Sequence, residues 1–418
     1  MSIGLVSIDE TCKIINGGSW NQTEYVPNGI KVIKVIKVSN LINDGIDESN
    51  LDFLPKEALK KYSKNILNAY DLVITTVGSH PQLRASAAGR GFLIPKKYEG
   101  SLLNQNAVCI RTKNENILHN KYLAYLGRSF IFRHYIQQGG RGAANQMRIA
   151  ISIIKKFEFE LPLLQTQKRI ADILSTYDDL IENNLKRIKL LEQAAQNIYK
   201  EWFVNLRFPG YENAVLDTET RLPGGWEEVL MEDIMNVSGG GTPSTKESLY
   251  WEEGKVLWFS PTDLNKNNSL VLIDSTKKIT ELGLKKSSAK LLPQRTILMS
   301  SRATIGLFGL FNGDCSTNQG FININPKEES LRYYILFNLK SRVEELIANA
   351  SGATFKELSK RVFKRMSIVS PNASISTNFY DQVEFFINQT ENLEFQNQKL
   401  KAARDILLPR LMNRTIKV

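Results

Sequence analysis

Cysteine, histidine and long apolar runs are the scarce things in this chain of 418 residues. The three cysteines, Cys12, Cys109 and Cys315, are odd in number and far apart, which excludes a disulfide framework and fits reduced thiols. The three histidines, His80, His119 and His134, form no Cys/His pair at zinc spacing, so no metal ligands are read. No apolar run of about 18 residues could span a bilayer, and the opening residues do not read as a signal peptide. A soluble protein of the cytoplasm is expected. G-x-x-x-x-G-K-[ST] is missing, and with it a P-loop. The glycines at 239–241 and 139–142 spell no dinucleotide fingerprint between a strand and a helix, and read as turns. Glu253-Gly254-Lys255 has the E-x-K of some nucleases, but no acidic partner on a preceding strand. No nucleophile, base and orienter can be assembled, so no catalytic residue is assigned. A chain of this size without a catalytic set points to recognition rather than chemistry.

What is present is ordinary globular material with a basic surplus. Hydrophobic residues at 42% and charged residues at 23% are enough for folded cores, and the length allows two or three domains. The 54 Lys and Arg against 43 Asp and Glu leave a formal charge of +11, which favours a polyanion as partner.

The chain repeats a plan once in tandem. Each copy opens with a short apolar-acidic stretch leading to glycines: Val6-Ser-Ile-Asp9 to Gly17-Gly18-Ser19-Trp20, then Leu230-Met-Glu-Asp233 to Gly239-Gly240-Gly241-Thr242-Pro243. Strand-like runs follow at 31–38 and 255–260, then at 71–76 and 295–300. Alternation of Lys with aliphatic residues over 31–38 implies one apolar face and one basic face. Asn104-Gln105-Asn106 parallels Asn318-Gln319-Gly320, each before a further strand. Helical stretches near 122–135 and 333–347 lead to Gly142-Ala-Ala144 and Gly352-Ala-Thr354. Seven matches in one order indicate a duplicated domain, α/β (α+β) in class, with a Pro/Gly-punctuated linker at 208–225.

A long helix closes each copy, over about 165–204 and 379–408. In the first, Leu174, Ile181, Ile188, Ala195 and Trp202 recur every seven residues. Ile170, Tyr177, Asn184, Leu191 and Ile198 do so at the complementary position. In the second, Phe386, Leu393, Leu400 and Leu407 alternate with Val383, Thr390, Asn397 and Arg404. Seams this long and narrow mark a coiled coil, taken as antiparallel, with Asn184 and Asn397 fixing register at some cost in stability. Asp178-Asp179, beside the seam, reads as a solvated face.

The loops after the strands carry side chains suited to nucleic acid. In the first copy these are Ser19, Trp20, Ser79, His80, Gln82, Arg84, Arg90, Asn104, Gln105, Asn106, Arg141, Asn145, Gln146 and Arg148. In the second they are Thr242, Ser244, Lys246, Ser300, Ser301, Arg302, Thr304, Thr317, Asn318, Gln319, Thr354 and Lys356. Arg can read guanine bidentately and Asn or Gln adenine, while Ser, Thr and Lys position on phosphates. The copies agree in scaffold and differ in these loops, as two readers of two different half-sites would.

Three further motifs carry a resemblance. Leu161-Pro-Leu-Leu-Gln-Thr-Gln167-Lys-Arg-Ile170-Ala-Asp-Ile-Leu174, followed by Asp178-Asp179 and Ile181, resembles the central helix of type I restriction–modification specificity subunits. Leu222-Pro-Gly-Gly-Trp226, with Ser238 to Pro243, resembles the start of their target recognition domains, and Arg404-Asp-Ile-Leu-Leu-Pro409-Arg-Leu411 their C-terminus. The first copy departs from the pattern by starting at Met1-Ser-Ile without the Leu-Pro-Gly-Gly-Trp lead: either that start is truncated or the C-terminal tail completes the domain edge. The resemblance implies target recognition domains at 1–160 and 226–372, with spacer helices at 161–207 and 373–418. It implies a non-catalytic subunit that reads a bipartite, asymmetric site on double-stranded DNA. Two methyltransferase subunits bringing S-adenosylmethionine, and up to two nuclease and translocase subunits using ATP and Mg²⁺, would be its partners, with no cofactor on this chain. The rival readings are a standalone DNA nuclease or methyltransferase, and a coiled-coil scaffold for proteins alone.

Overall fold

The structure is a computed structural model that describes residues 2–42, 45–48, 50–78, 88–140, 147–267, 269–352 and 356–418. It divides into two compact units, one of residues 1–179 with 400–418, the other of residues 180–399.

The first unit is built on a four-stranded antiparallel sheet. Its order is Cys12–Asn16, Ala107–Thr112, Leu72–Thr75, Gly91–Leu93. A smaller sheet places Val32–Ile36 between Leu102–Leu103, parallel, and Asp52–Pro55, antiparallel. Ser2–Ser7 pairs antiparallel with Glu158–Pro162, and the helices Asn120–Arg128 and Phe130–Gln138 are longer than the single turns elsewhere in the globular part. The basic face expected over 31–38 does not form as read. Val35 and Ile36 are both buried because that strand is central in its sheet. Lys37 is drawn into an ion pair with Asp52 at 2.5 Å.

The second unit repeats this topology. Met235–Gly239, Phe321–Pro326, Ile297–Ser300 and Phe308–Phe311 stand where the first unit has its four strands, extended by Val271–Leu272. Val256–Phe259 lies between Cys315–Thr317, parallel, and Lys277–Ile279, antiparallel. Glu227–Leu230 pairs with Ser367–Ser370 as Ser2–Ser7 pairs with Glu158–Pro162. The helices Arg332–Ser341 and Val343–Ala348 complete the correspondence. Pairing order and direction match in both units, so the duplication holds at the level of topology.

The long helices are Leu164–Tyr199, widened into a π turn over Lys200–Val204, and Ala373–Met412. The second starts earlier than its heptads indicate because Asn372 caps it, its side-chain oxygen accepting from the Ile375 amide at 3.0 Å. The π turn carries Trp202 and Phe203 into the core of the second unit, where both rings meet Phe379. In that unit Asn184 Nδ2 donates to Asn397 Oδ1 at 3.0 Å, and Tyr199 reaches Phe379, so one helix rises as the other falls. In the first unit Arg404 Nη1 meets Asp178 at 2.6 Å, while Leu411 and Met412 share a core with Ile170 and Leu174. The pair is antiparallel in each. Leu174, Ile181, Ile188, Ala195 and Trp202 are all buried, whereas Tyr177, Leu191 and Ile198 are partly exposed, as are Phe386, Leu400 and Leu407, which share a heptad position with the buried Leu393.

Asp178 corrects the sequence reading. Only Asp179 faces solvent; Asp178 accepts from Tyr125 Oη at 2.7 Å and pairs with Arg128 at 2.8 Å as well as with Arg404. The C-terminal tail also belongs to the first unit. Leu407, Leu408, Ile416 and Val418 pack on its core, and Arg414 reaches Glu160 on the strand paired with Ser2–Ser7 at 2.5 Å.

Candidate nucleic-acid interface

At one end of each main sheet, four loops converge. In the first unit they are residues 17–20, 76–78, 104–106 and 147–149. The Gly18 amide donates to Leu103 O at 2.8 Å, and the Gln105 amide to Gly18 O at 2.8 Å. Thr76 joins the rest, its amide donating to Asn106 O and its carbonyl accepting from the Ile149 amide, both at 2.9 Å. Gly17 is required where it stands, since a Cβ there would lie 1.9 Å from Asn104 O. On this cluster Ser19, Gln105, Asn106 and Arg148 are exposed, Asn104, Arg90 and Trp20 half-buried, and the Trp20 ring packs on Tyr62 at 5.1 Å. Asn106 takes φ 72°, a left-handed turn that Asn tolerates. Ser79, His80, Gln82, Arg84, Arg141, Asn145 and Gln146 lie outside the described residues, as does Thr354 in the other copy.

In the second unit the matching loops are residues 239–243, 300–304, 317–320 and 351–352 with 356–358. The Gly241 amide donates to Thr317 O at 2.9 Å, Ser301 N to Gly320 O at 2.8 Å, and Leu358 N to Ser301 O at 3.0 Å. Gly240 fits against two carbonyls, since a Cβ would lie 2.2 Å from both Thr317 O and Asn318 O. Trp258 Nε1 holds the Gly241 carbonyl at 2.9 Å. Ser244, Lys246, Arg302, Thr304, Gln319 and Lys356 are exposed on these loops or just beside them. Thr242 Oγ1 donates to Gln319 Oε1, which holds that amide at the surface. Arg302 is partly neutralised by Glu357 at 2.8 Å.

Three candidates are corrected by burial. The Ser300 hydroxyl donates to Thr304 O at 2.6 Å and accepts from Leu307 N at 2.8 Å, so it builds its own turn. Ser301 is buried between Gly320 and Leu358. Thr317 is fully buried and bonded to Asn323 at 2.9 Å. None of the three presents its side chain to a ligand. The sequence reading also passed over a feature of the second unit: a basic depression of about 570 Å³ beside Ser238 and Gly239. Its signal was in plain view, Lys360-Arg361-Val-Phe-Lys364-Arg365, but that run lies outside the strand-end loops.

The cysteines play no part in this surface. Burial pushes the Cys12 thiol up to about 11 and the Cys315 thiol up to about 12, so both stay protonated and inert. Among the described residues no helix is long and apolar enough to cross a membrane.

The model for the type I restriction modification DNA specificity domain matches residues 4–193 and again 223–402. The chain belongs to that family. What that model describes is a domain for DNA specificity. The chain is 34% identical over 183 residues to the type I restriction enzyme MjaIX specificity subunit of Methanocaldococcus jannaschii, covering 43% of this chain and 42% of that protein. It therefore spans less than half the length of that relative. With the HindI specificity subunit of Haemophilus influenzae it shares 24% over 326 residues, 64% of this chain and 70% of that one. The crystal structure of a type I restriction–modification S subunit from M. genitalium superposes with a TM-score of 0.53 at 16% identity, covering 98% of this chain and 95% of that chain. That likeness concerns the fold. The two spans matched by the specificity model each contain one main sheet, one loop cluster and most of one long helix.

Proposed function

We propose that this chain reads a bipartite, asymmetric site on double-stranded DNA, one half with each loop cluster, while the paired helices act as the spacer. The observation that supports this most is the contrast between the copies. Sheet order, strand direction and helix succession agree, while the loops present Asn-Gln-Asn and Arg in one copy and Thr, Asn-Gln and Arg in the other. A symmetric site would call for similar loops; these differ. Exposed Gln105, Asn106 and Gln319 are suited to adenine edges and Arg148 to guanine, whereas Ser19, Lys246 and Lys356 would position on phosphates. The helices also carry two methyltransferase subunits, which bind S-adenosylmethionine, and through them up to two nuclease and translocase subunits. The domains used in this way run over 1–160 and 226–372, with spacer helices at 161–207 and 373–418. Exchanging residues 1–160 for the same part of another family member, then mapping methylated adenines in a host genome, tests the reading. One half of the motif should change and the other half persist. Changes in both halves would refute modular arms.

A further inference from the structure

The second unit carries a depression of about 570 Å³ into which Lys290, Lys360, Arg361, Lys364 and Arg365 converge, with Glu232 the one carboxylate among them. Local sequence explains how four cations crowd onto one turn. Ser359 caps the short helix Lys360–Lys364, accepting from the Val362 amide at 3.2 Å, and Phe363 is fully buried as its anchor. With Phe363 inward, Lys360, Arg361 and Arg365 are left exposed and Lys364 half-buried. Lys290 comes from a different direction. Ser288 packs against Gly241 so closely that a Cβ there would meet it at 2.3 Å, which brings the following residues to the other wall. Among the described residues none of these five cations has an ion-pair partner.

Unpaired cations held together in a concavity repel one another, and a bound polyanion relieves that repulsion. The position identifies which one. Lys360 Nζ stands over Gly239, 2.6 Å from where a Cβ would be, and Gly239 leads directly into the loop that carries Thr242 beside Gln319. The depression thus adjoins the loops assigned to base reading in the same unit. It offers point charges and guanidinium forks without the Asn or Gln that would discriminate bases. Among the described residues of the first unit, the matching short helix Ile151–Lys155 has Ile151-Ser152 where the second has Lys360-Arg361, and Lys155 is tied to Asp9 at 2.9 Å.

We propose that this depression is a phosphodiester anchor: it grips the DNA backbone beside the half-site read by the second unit, independently of sequence, with no such cluster of cations at the matching helix among the described residues of the first unit. The proposal rests on the DNA-reading function above and adds an asymmetry to it. Release of condensed counterions makes each phosphate contact visible as a slope of about −0.9 in log affinity against log salt.

The test uses the full chain with its methyltransferase partners and a mixed-sequence DNA duplex. Lys360→Gln, Arg361→Gln, Lys364→Gln and Arg365→Gln together should flatten the salt slope by about 2 to 4 and weaken binding at least tenfold at about 0.1 M salt. The methylated sequence should not change. Lys155→Gln with Lys156→Gln in the first unit should leave the slope within about one contact of wild type. If the fourfold variant misfolds by its melting curve, the exposed pair Lys360→Gln and Arg361→Gln serves alone, with a flattening of at least about 1 expected. A wild-type slope retained in the variants overturns the anchor while leaving the DNA-reading function intact. A changed methylation motif overturns it too, since the pocket would then be reading bases. Absence of any salt-dependent binding by the wild type would sink the DNA-reading function itself.

Discussion

Asp178→Asn removes one charge from the joint between both long helices and the first unit, and the outcome can be worked from the geometry. The Asp178 carboxylate takes Arg404 at 2.6 Å, Arg128 at 2.8 Å and Tyr125 Oη at 2.7 Å. The Arg404 side chain is only 7% exposed and that of Arg128 16%, so neither guanidinium can turn to water when its partner goes. Breaking a buried pair by removing one member costs about 3–5 kcal/mol. Here the figure is reduced, because Arg404 keeps Asp405 at 2.9 Å and the new amide still accepts one hydrogen bond. An expected loss of about 2–4 kcal/mol follows. For a unit of about 200 residues, 1 kcal/mol moves the midpoint by roughly 2–4 °C, so its calorimetric transition should fall by about 4–16 °C. Replacing Arg404 by Met in the same protein removes the stranded cation and should recover part of that loss. A shift of under about 1 °C, or a double variant less stable than either single, would refute the reasoning.

The same carboxylate fixes a pH dependence. Burial pushes the Asp178 group up, but Arg128, Arg404 and the hydrogen bonds from Arg404 and Tyr125 together outweigh it and hold it below the ordinary carboxylate value. A group whose folded value is depressed stabilises fully above its unfolded value, near 3.9, and loses that contribution as pH falls through the folded one. The gap between wild type and Asp178→Asn should therefore be flat above about pH 5 and close below about pH 4. A gap that closed nearer neutrality would mean that another group sets it.

Two further predictions concern the second unit. Trp226 is 7% exposed between Phe203 and Phe208, with ring centroids at 5.6 and 5.4 Å, so Trp226→Ala should cost about 3–5 kcal/mol in a denaturant melt. Trp226→Phe should keep most of that, because the indole N–H has no partner to lose; equal losses would contradict the packing account. Gly240→Ala forces the 239–243 loop away from Thr317 and Asn318. It should weaken binding to the mapped site at least tenfold while leaving the salt slope near wild type; unchanged site affinity would show that the loop does not position readers.

What could be read in the sequence was whatever repeats along one chain segment. The heptads gave the helices, and Asn184 and Asn397 were visible as polar breaks in them; the structure adds that they bond to each other, with the Asn397 amide nitrogen left without a partner among the described residues. Asp178 was misread because a charged residue beside a seam looks solvated unless its partners are known. One of those is 226 residues away. Ser300 and Thr317 were misread for a related reason. A hydroxyl at a strand end is equally suited to a ligand or to its own turn, and only burial distinguishes the two. The basic depression needed Lys290 to be brought to Lys360 by a loop packed on Gly241, which no local pattern announces.

The motifs that carried the family resemblance turn out to be joints rather than readers. Gln167 is fully buried, its amide donating to Pro162 O at 2.8 Å and Ile117 O at 2.9 Å while it accepts from His119 N, so it fastens the first long helix to its unit. Asp178 and Arg404 join the two helices, and Trp226 and Leu411 are core residues of their units. Each would leave a cavity or a stranded polar group if changed, at a cost of about 1–5 kcal/mol. Exposed Gln105, Arg148 and Lys356 have no such constraint, and substitutions there should stay within about 0.5 kcal/mol of neutral. A chain arranged this way can change what it recognises without losing its fold, because the groups that hold the frame and the groups offered to DNA are different residues. The basic depression sits between these classes. Its cations are exposed except for the half-buried Lys364, and so cheap to alter for stability, yet they carry no base information, so altering them should change how tightly DNA is held and leave the sequence read untouched.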